Sequence, residues 1–178
     1  MQEIVGQIFG IVAFIIAFFA YQMSTSKKVL MVQTVAIVSF CIHYLLIGAI
    51  PGFALNLLGV ARNLIYYNND KKFFRSKAWP IVLSVLMVIV GCFTGKGWHA
   101  VLLIVGLAVN TYCMSLSTSQ AIRISLLFTC PPVLVYNIFE LSIGGMVNEA
   151  LSIVSATVGI IRERAKKGEE NIAEEENK

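Results

Sequence analysis

Charged residues are scarce in this sequence, and their absence from long stretches points to the class of protein. Only 13% of the 178 residues are charged, whereas about a quarter are charged in an average soluble domain. Residues 4–69 carry just Lys27, Lys28 and Arg62 as charged side chains. Because 57% of the residues are hydrophobic, water is a poor solvent for most of the chain. The composition predicts an integral membrane protein.

The signatures of several functional classes are also missing. Only two histidines occur, and the four cysteines show no Cys-x-x-Cys spacing, so no metal centre or disulfide framework is indicated. The apolar runs hold no Asp and no metal-spaced histidine pair, which argues against an enzyme. Basic residues lie beside apolar runs and favour a membrane surface over nucleic acid. We therefore predict no catalytic residue, cofactor, metal or nucleic-acid partner. The cysteines are expected to be buried free thiols: Cys41, Cys92, Cys113 and Cys130.

The chain does contain a series of long apolar runs. A membrane-spanning helix needs about 20 mainly apolar residues, and these runs lack the alternation of a membrane β-barrel. The first run has no basic segment before it, so we interpret it as a retained helix and not as a signal peptide. The runs predict an all-α integral membrane protein with seven transmembrane helices, at residues 4–22, 29–48, 52–68, 79–94, 98–116, 122–140 and 145–163.

The positions of Lys and Arg predict the orientation. If the N-terminus lies outside, twelve basic residues fall on the cytoplasmic side, Lys96 falls on the outer side and Arg62 lies within a span. Cytoplasmic loops carry an excess of Lys and Arg. We expect a multi-pass protein with its N-terminus outside and its C-terminus in the cytoplasm.

An internal repeat relates the two halves. Ser24-Thr25-Ser26 recurs 93 residues later as Ser117-Thr118-Ser119, and the turn at 50–52 recurs at 143–145. This one offset aligns the first three spans with the last three without gaps, and the fourth span has no counterpart. Two three-span units joined by one span have the same orientation, as in SWEET-type transporters.

The repeat divides the chain into four parts. A first three-helix bundle and a second one flank a cytoplasmic loop with its linker helix. The Glu-, Lys- and Asn-rich end is expected to be disordered. The predicted limits are 1–68 for the first bundle, 69–96 for the loop and linker helix, 97–164 for the second bundle, and 165–178 for the disordered cytoplasmic tail.

Motifs around the turns resemble the YgjV family of bacterial inner-membrane proteins, which is grouped with the SWEET and PQ-loop proteins. They are the Gly-rich aromatic first span, His43-Tyr44-Leu45-Leu46-x-Gly48, Leu55-Asn56 followed by Arg62, and Asn137 with Ser142-Ile143-Gly144-Gly145-x-x-x-Glu149. The resemblance implies a small multi-pass inner-membrane protein without an assigned substrate. The wider group implies a central solute pathway between two bundles. The Pro-Gln hinge of PQ-loop proteins is absent from the first and fifth spans.

Polar residues within the spans are the candidates for a site, because such groups are costly in lipid. Asn56 and Glu149 are related by the 93-residue offset, so a two-fold axis along the membrane normal would place them on opposite walls of one cavity. His43 and Asn137 are expected nearby, from the second and sixth spans, with Asn148 beside Glu149. The predicted solute pathway therefore consists of Asn56, Glu149, His43, Asn137 and Asn148.

The roles of these residues stay open at this point. Glu149 is either neutral or paired, with His43 or Arg62 as partner, or else it fixes the Gly144-Gly145 turn near a helix start. His43 is more often a packing residue, and Arg62 can snorkel to anchor the end of its span. With one carboxylate and one amide, the cavity is expected to suit a polar or cationic solute better than an anion.

Three classes of function compete. The leading interpretation is a transporter or facilitator for a small polar solute, embedded in the lipid bilayer. A non-transporting assembly or regulatory protein is the alternative, with the charged tail as a contact for a partner. An integral membrane enzyme is the third. Gly6-x-x-x-Gly10 permits close helix approach. The sequence leaves open whether the protein forms a homo-oligomer.

Overall fold

A computed structural model describes residues 2–20, 26–115 and 119–176. In these ranges the chain forms seven α-helices, as the apolar runs predict, and no strand. Residues 24–25 and 117–118 of the repeated tripeptide lie outside the described ranges. The helices are α1 (Gln2–Ala20), α2 (Ser26–Leu46), α3 (Ile50–Tyr67), α4 (Ala78–Thr94), α5 (His99–Cys113), α6 (Ser119–Phe139) and α7 (Ile143–Glu176).

Six of the seven helices contain the apolar segments of membrane spans. Gln2–Ala20, Lys27–Leu46 and Ile143–Arg162 are long and apolar enough to cross a bilayer, and Ala78–Thr94, His99–Cys113 and Arg123–Phe139 are shorter apolar helices. Large hydrophobic side chains are exposed around the bundle; the exposed fraction is 87% for Phe93 and 75% for Phe128. A contiguous apolar exterior of this kind favours lipid over water.

The packing of the helices forms a closed ring. Each of α2 to α7 packs against the helix before it in the chain, α1 also packs against α7, and α3 also packs against α5. The helix α4 lies against α3 and α5 on the outside of this ring. The hydrophobic core includes the buried side chains of Leu55, Met87, Leu103 and Tyr136.

The turns after α2 and α6 have the same backbone geometry, 93 residues apart. Gly48 has φ 79° and Leu141 has φ 52°, and the amide of the next residue donates back to Tyr44 O in one turn and Asn137 O in the other, at 2.9 Å in both. Positive φ is rare for a residue with a side chain. The second turn therefore keeps its conformation without the glycine that would favour it.

The last helix is longer than the sequence predicts. It continues to Glu176 and so includes residues 165–176, for which the Glu, Lys and Asn content predicts disorder. Ala, Glu and Lys are also among the strongest helix formers, and the chain enters this stretch from an established helix. Propagation of a helix costs far less than its nucleation, which accounts for the difference.

Candidate functional site

The six helices of the ring line a cavity of about 170 Å³, to which α4 contributes no lining residue. Part of the wall is apolar, with Phe40, Leu103 and Leu107. The polar part is drawn from five helices, since α1 contributes only Ala17. The amide and charged residues of the wall are Gln33, Asn56, Arg62, Asn110, Asn148 and Glu149.

Three of the five predicted pathway residues lie on the cavity wall: Asn56, Asn148 and Glu149. Asn56 Nδ2 donates to Gly52 O of its own helix at 2.8 Å. Asn148 Nδ2 donates to Glu149 Oε1 at 3.1 Å, and the Cys130 thiol lies beside the same carboxyl group. The contacts of Glu149 thus come from neutral neighbours, and His43, one of the partners considered from sequence, is engaged elsewhere.

His43 is fully buried at one end of the cavity, and it is not part of the cavity wall. Its Nδ1 lies 2.8 Å from Gly6 O, and because a carbonyl oxygen only accepts, Nδ1 is the donor. Its Nε2 lies 2.7 Å from Ser142 Oγ. The imidazole therefore joins α1, α2 and the turn before α7. This geometry corresponds to the packing role that the sequence left as an alternative.

Asn137 lies in the same buried layer and meets its own repeat equivalent. Tyr44 OH donates to Asn137 Oδ1 at 2.6 Å, and positions 44 and 137 are 93 residues apart. A Cβ at Gly52 would lie 2.7 Å from the Tyr44 ring, and one at Gly145 would lie 2.5 Å from Asn137 Oδ1. Two equivalent residues that touch must lie beside any axis that relates them.

These side chains form what we call the end cluster, which lies beside the two turns and meets the cavity at Tyr44. Its members are buried, with exposed fractions from 0% to 4%. Tyr136 OH accepts a hydrogen bond from Gly52 N at 3.1 Å, so the first turn of α3 is held as well. The end cluster consists of His43, Tyr44, Tyr136, Asn137 and Ser142.

For Arg62 the sequence allowed either a snorkelling anchor or a partner of Glu149, and the structure places it on the cavity wall. It is 7% exposed and lines the cavity, whereas a snorkelling anchor would extend to the membrane surface. Its Nε and Nη2 donate to Asn63 Oδ1 at 3.1 and 3.0 Å. Its Nη1 donates to Asn110 Oδ1 at 3.4 Å and to Thr111 Oγ1 at 3.3 Å. The spacing of Leu55 and Arg62, seven residues apart on one helix face, could have indicated burial.

Gln7 supports the second turn from α1. Its Nε2 donates to Leu141 O at 2.7 Å, and its Oε1 accepts from Ile143 N at 3.1 Å. The amide thus satisfies both a carbonyl of the turn and a free N–H at the start of α7. This contact explains how α1 and α7 are held in register beside the end cluster.

An all-helical bundle with an apolar exterior and a polar interior cavity is the architecture of a multi-pass membrane protein. Residues 4–167 match the Imp-YgjV family, which is described as bacterial inner membrane protein. The chain belongs to this family and is a bacterial inner membrane protein, so the family prediction is confirmed. No curated protein and no solved structure matches the chain.

Proposed function

We propose that this protein is a transporter or facilitator for a small polar solute that binds in the central cavity. The observation that carries the proposal is the carboxylate of Glu149 on the wall of an internal cavity. Ionisable groups within membrane spans are costly and mark ion or substrate pathways. The amides of Asn56 and Asn148 supply further hydrogen-bonding groups in the same cavity.

The proposed architecture is two parallel three-helix bundles joined by α4, in a SWEET-like 3+1+3 arrangement. In this arrangement a two-fold axis exchanges α1 with α5 and α3 with α7. If α1 packs against α7, the axis requires that α5 packs against α3. Both contacts are present. The matching turns and the Tyr44–Asn137 contact support the same axis. Solute sites of repeat transporters lie between the repeats, where this cavity is found.

We also propose that the N-terminus lies outside and the C-terminus in the cytoplasm. The loop between α3 and α4 exposes Lys71, Lys72 and Arg75, which favours the cytoplasmic side for this loop. The end cluster then closes the cavity toward the outside. With the outer side closed, a solute would enter the cavity of this conformation from the cytoplasm.

A second candidate is a non-transporting assembly or regulatory protein. The observation in its favour is α7, which continues as a helix beyond Arg162 to Glu176 and could contact a partner outside the bilayer. We propose no enzymatic role, because Glu149 is the one carboxylate among the described lining residues and no histidine lies with it.

Uptake into proteoliposomes tests the proposal. We expect the protein to take up at least one member of a panel of labelled amino acids, amines and sugars above empty vesicles. Glu149→Gln should lower that uptake by about tenfold, because a hydrogen bond to a charged group contributes about 1.5–3 kcal/mol. The amide keeps the shape of the side chain, so folded protein should remain.

Glu140→Gln is the matched control for this experiment. Glu140 directly follows α6, pairs with His99 at 3.2 Å and does not line the cavity, so uptake by this variant should equal that of the unmodified protein. Uptake by no member of the panel, or equal uptake by Glu149→Gln, would contradict the proposed function.

A further inference from the structure

The segment between α3 and α4 carries a cluster of exposed basic side chains, and we call residues 71–77 the basic loop. Four of its seven residues are Lys or Arg, and none is acidic. All four are exposed, and within the described ranges of the chain none of them forms a salt bridge. The basic residues of the loop are Lys71, Lys72, Arg75 and Lys77.

The acidic residue nearest in sequence does not offset this charge. Asp70, which directly precedes the basic loop, forms a salt bridge with Lys27 of α2. The ammonium group of Lys27 also lies 5.8 Å from the centre of the Tyr67 ring, which is within the range of a cation–π contact. Because the carboxylate of Asp70 already has a cation beside it, the basic loop presents a net positive charge to its surroundings.

Hydrogen bonds fold the backbone of the basic loop into short turns. Phe74 N and Arg75 N both donate to Lys71 O, at 3.0 and 3.1 Å. The bond from Arg75 closes a turn of five residues, so two basic residues that are four positions apart in sequence lie near each other. At the end of the loop, Ala78 N donates to Ser76 Oγ at 3.3 Å. The charges are therefore carried by a folded segment with a defined shape.

An aromatic cluster lies beside these charges. The ring centre of Phe73 lies 5.2 Å from that of Phe74 and 5.4 Å from that of Trp79, with edge-to-face geometry in both pairs. Trp79 Nε1 donates to Phe73 O at 2.9 Å, which fastens the loop to the first turn of α4. Phe73 is nevertheless 68% exposed. Aromatic side chains at the end of a spanning helix are typical of the membrane–water interface.

The first turns of α4 continue from the aromatic cluster with an apolar surface. Ile81, Val82 and Val85 are all exposed, and α4 lies on the outside of the ring of helices, where lipid surrounds the protein. The basic loop and this surface are thus adjacent along the chain but differ in polarity. A molecule that covers both must be negatively charged at one end and apolar at the other.

We propose that the basic loop binds the headgroup of an anionic phospholipid, whose acyl chains lie along the exposed surface of α4. Clusters of Lys and Arg next to a spanning helix attract anionic lipids, and the guanidinium of Arg75 can bind a phosphate through two hydrogen bonds. Free phosphate would neutralise the charges but has no hydrocarbon part to cover Phe73 and α4. This inference is independent of the proposed transport function.

Lipid binding to the purified full-length protein in detergent tests the inference. Native mass spectrometry compares phosphatidylglycerol with phosphatidylcholine of identical acyl chains. Each basic residue near an anionic surface raises affinity about fivefold, so contacts with two of the four predict a preference of about 25-fold for phosphatidylglycerol. Glycerophosphoglycerol, which is the same headgroup without acyl chains, should not compete with the lipid at equal concentration.

Replacement of the four basic residues by glutamine assigns the preference to the loop. This variant removes the charges and keeps hydrogen-bonding groups at the same positions, so it should bind the two lipids with equal affinity. The control replaces Arg162 and Arg164 of α7 by glutamine. These two residues are also exposed, but the acidic Glu163 lies between them in sequence. The control should keep the preference of the unmodified protein.

Three results would overturn the inference. The first is equal affinity of the unmodified protein for the two lipids, a comparison that needs no variant to fold. The second is a preference for phosphatidylglycerol that survives in the variant without the four charges or disappears in the α7 control. The third is effective competition by glycerophosphoglycerol, which would indicate a site for a free anion and not for a lipid.

Discussion

Gly144→Ala should destabilise the protein by about 3 kcal/mol, at the upper end of the cost of overpacking. A Cβ at this position would lie 2.3 Å from the carbonyl carbon of Gly10, 2.4 Å from its oxygen and 2.6 Å from its Cα. Backbone atoms cannot rotate out of the way as a flexible side chain can. The added methyl group must therefore push α1 and α7 apart, which also strains the Gln7 contact with the turn before α7.

Gly59→Ala is the control, because its Cβ would meet only the Ile37 side chain, at 3.6 and 3.8 Å. Alanine is favoured over glycine within a helix by about 1 kcal/mol, so this variant should be as stable as the unmodified protein or slightly more stable. Thermal unfolding in detergent, followed by size-exclusion chromatography, measures both. A Gly144→Ala variant with an unchanged melting temperature would contradict the close approach of α1 and α7.

His43→Ala should have a similarly large effect on stability. The substitution leaves Gly6 O and Ser142 Oγ without the imidazole, and each buried polar group that loses its partner costs about 1–3 kcal/mol. It also opens a void in the end cluster, where the imidazole has no exposed surface. We expect a loss of about 3–5 kcal/mol in the free energy of unfolding.

The only other histidine of the chain provides the comparison. The side chain of His99 is 23% exposed, and it pairs with the similarly exposed Glu140. Partly exposed ion pairs contribute about 0–1 kcal/mol, so His99→Ala should lower stability by about 1 kcal/mol. If His43→Ala and His99→Ala unfolded at the same denaturant concentration, the buried hydrogen bonds of His43 to Gly6 and Ser142 would be contradicted.

The helices could be predicted from sequence because the length of an apolar run is a local property. The ends of α2 and α6 follow from the turns after them, and these helices begin and end 93 residues apart. The 93-residue offset between Asn56 and Glu149 predicted a shared environment, and both residues line the cavity. The positive φ of Leu141 had no signal in the sequence, because this turn is held by a contact with Gln7 and has no glycine at that position.

The environment of charged and aromatic side chains was harder to predict. A single arginine near the end of a span is compatible both with snorkelling and with burial, and only the packing of α5 against α3 decides that Arg62 is buried. The end cluster likewise depends on contacts between distant segments. Tyr136 has no distinctive motif, and its role follows from the N–H of Gly52, which lies 84 residues away.

The central claim is that two repeats lie in parallel around one cavity, with both turns on the outer side of the membrane. Ile50 and Ile143 are repeat equivalents at the starts of α3 and α7, and both side chains are exposed. The most direct measurement is the labelling of Ile50→Cys and Ile143→Cys by a membrane-impermeant thiol reagent, in a chain whose four native cysteines are replaced by alanine. We predict that intact cells label both positions from the periplasm. Labelling of the two positions from opposite sides of the membrane would contradict the parallel repeat, and labelling of both only from the cytoplasm would contradict the orientation.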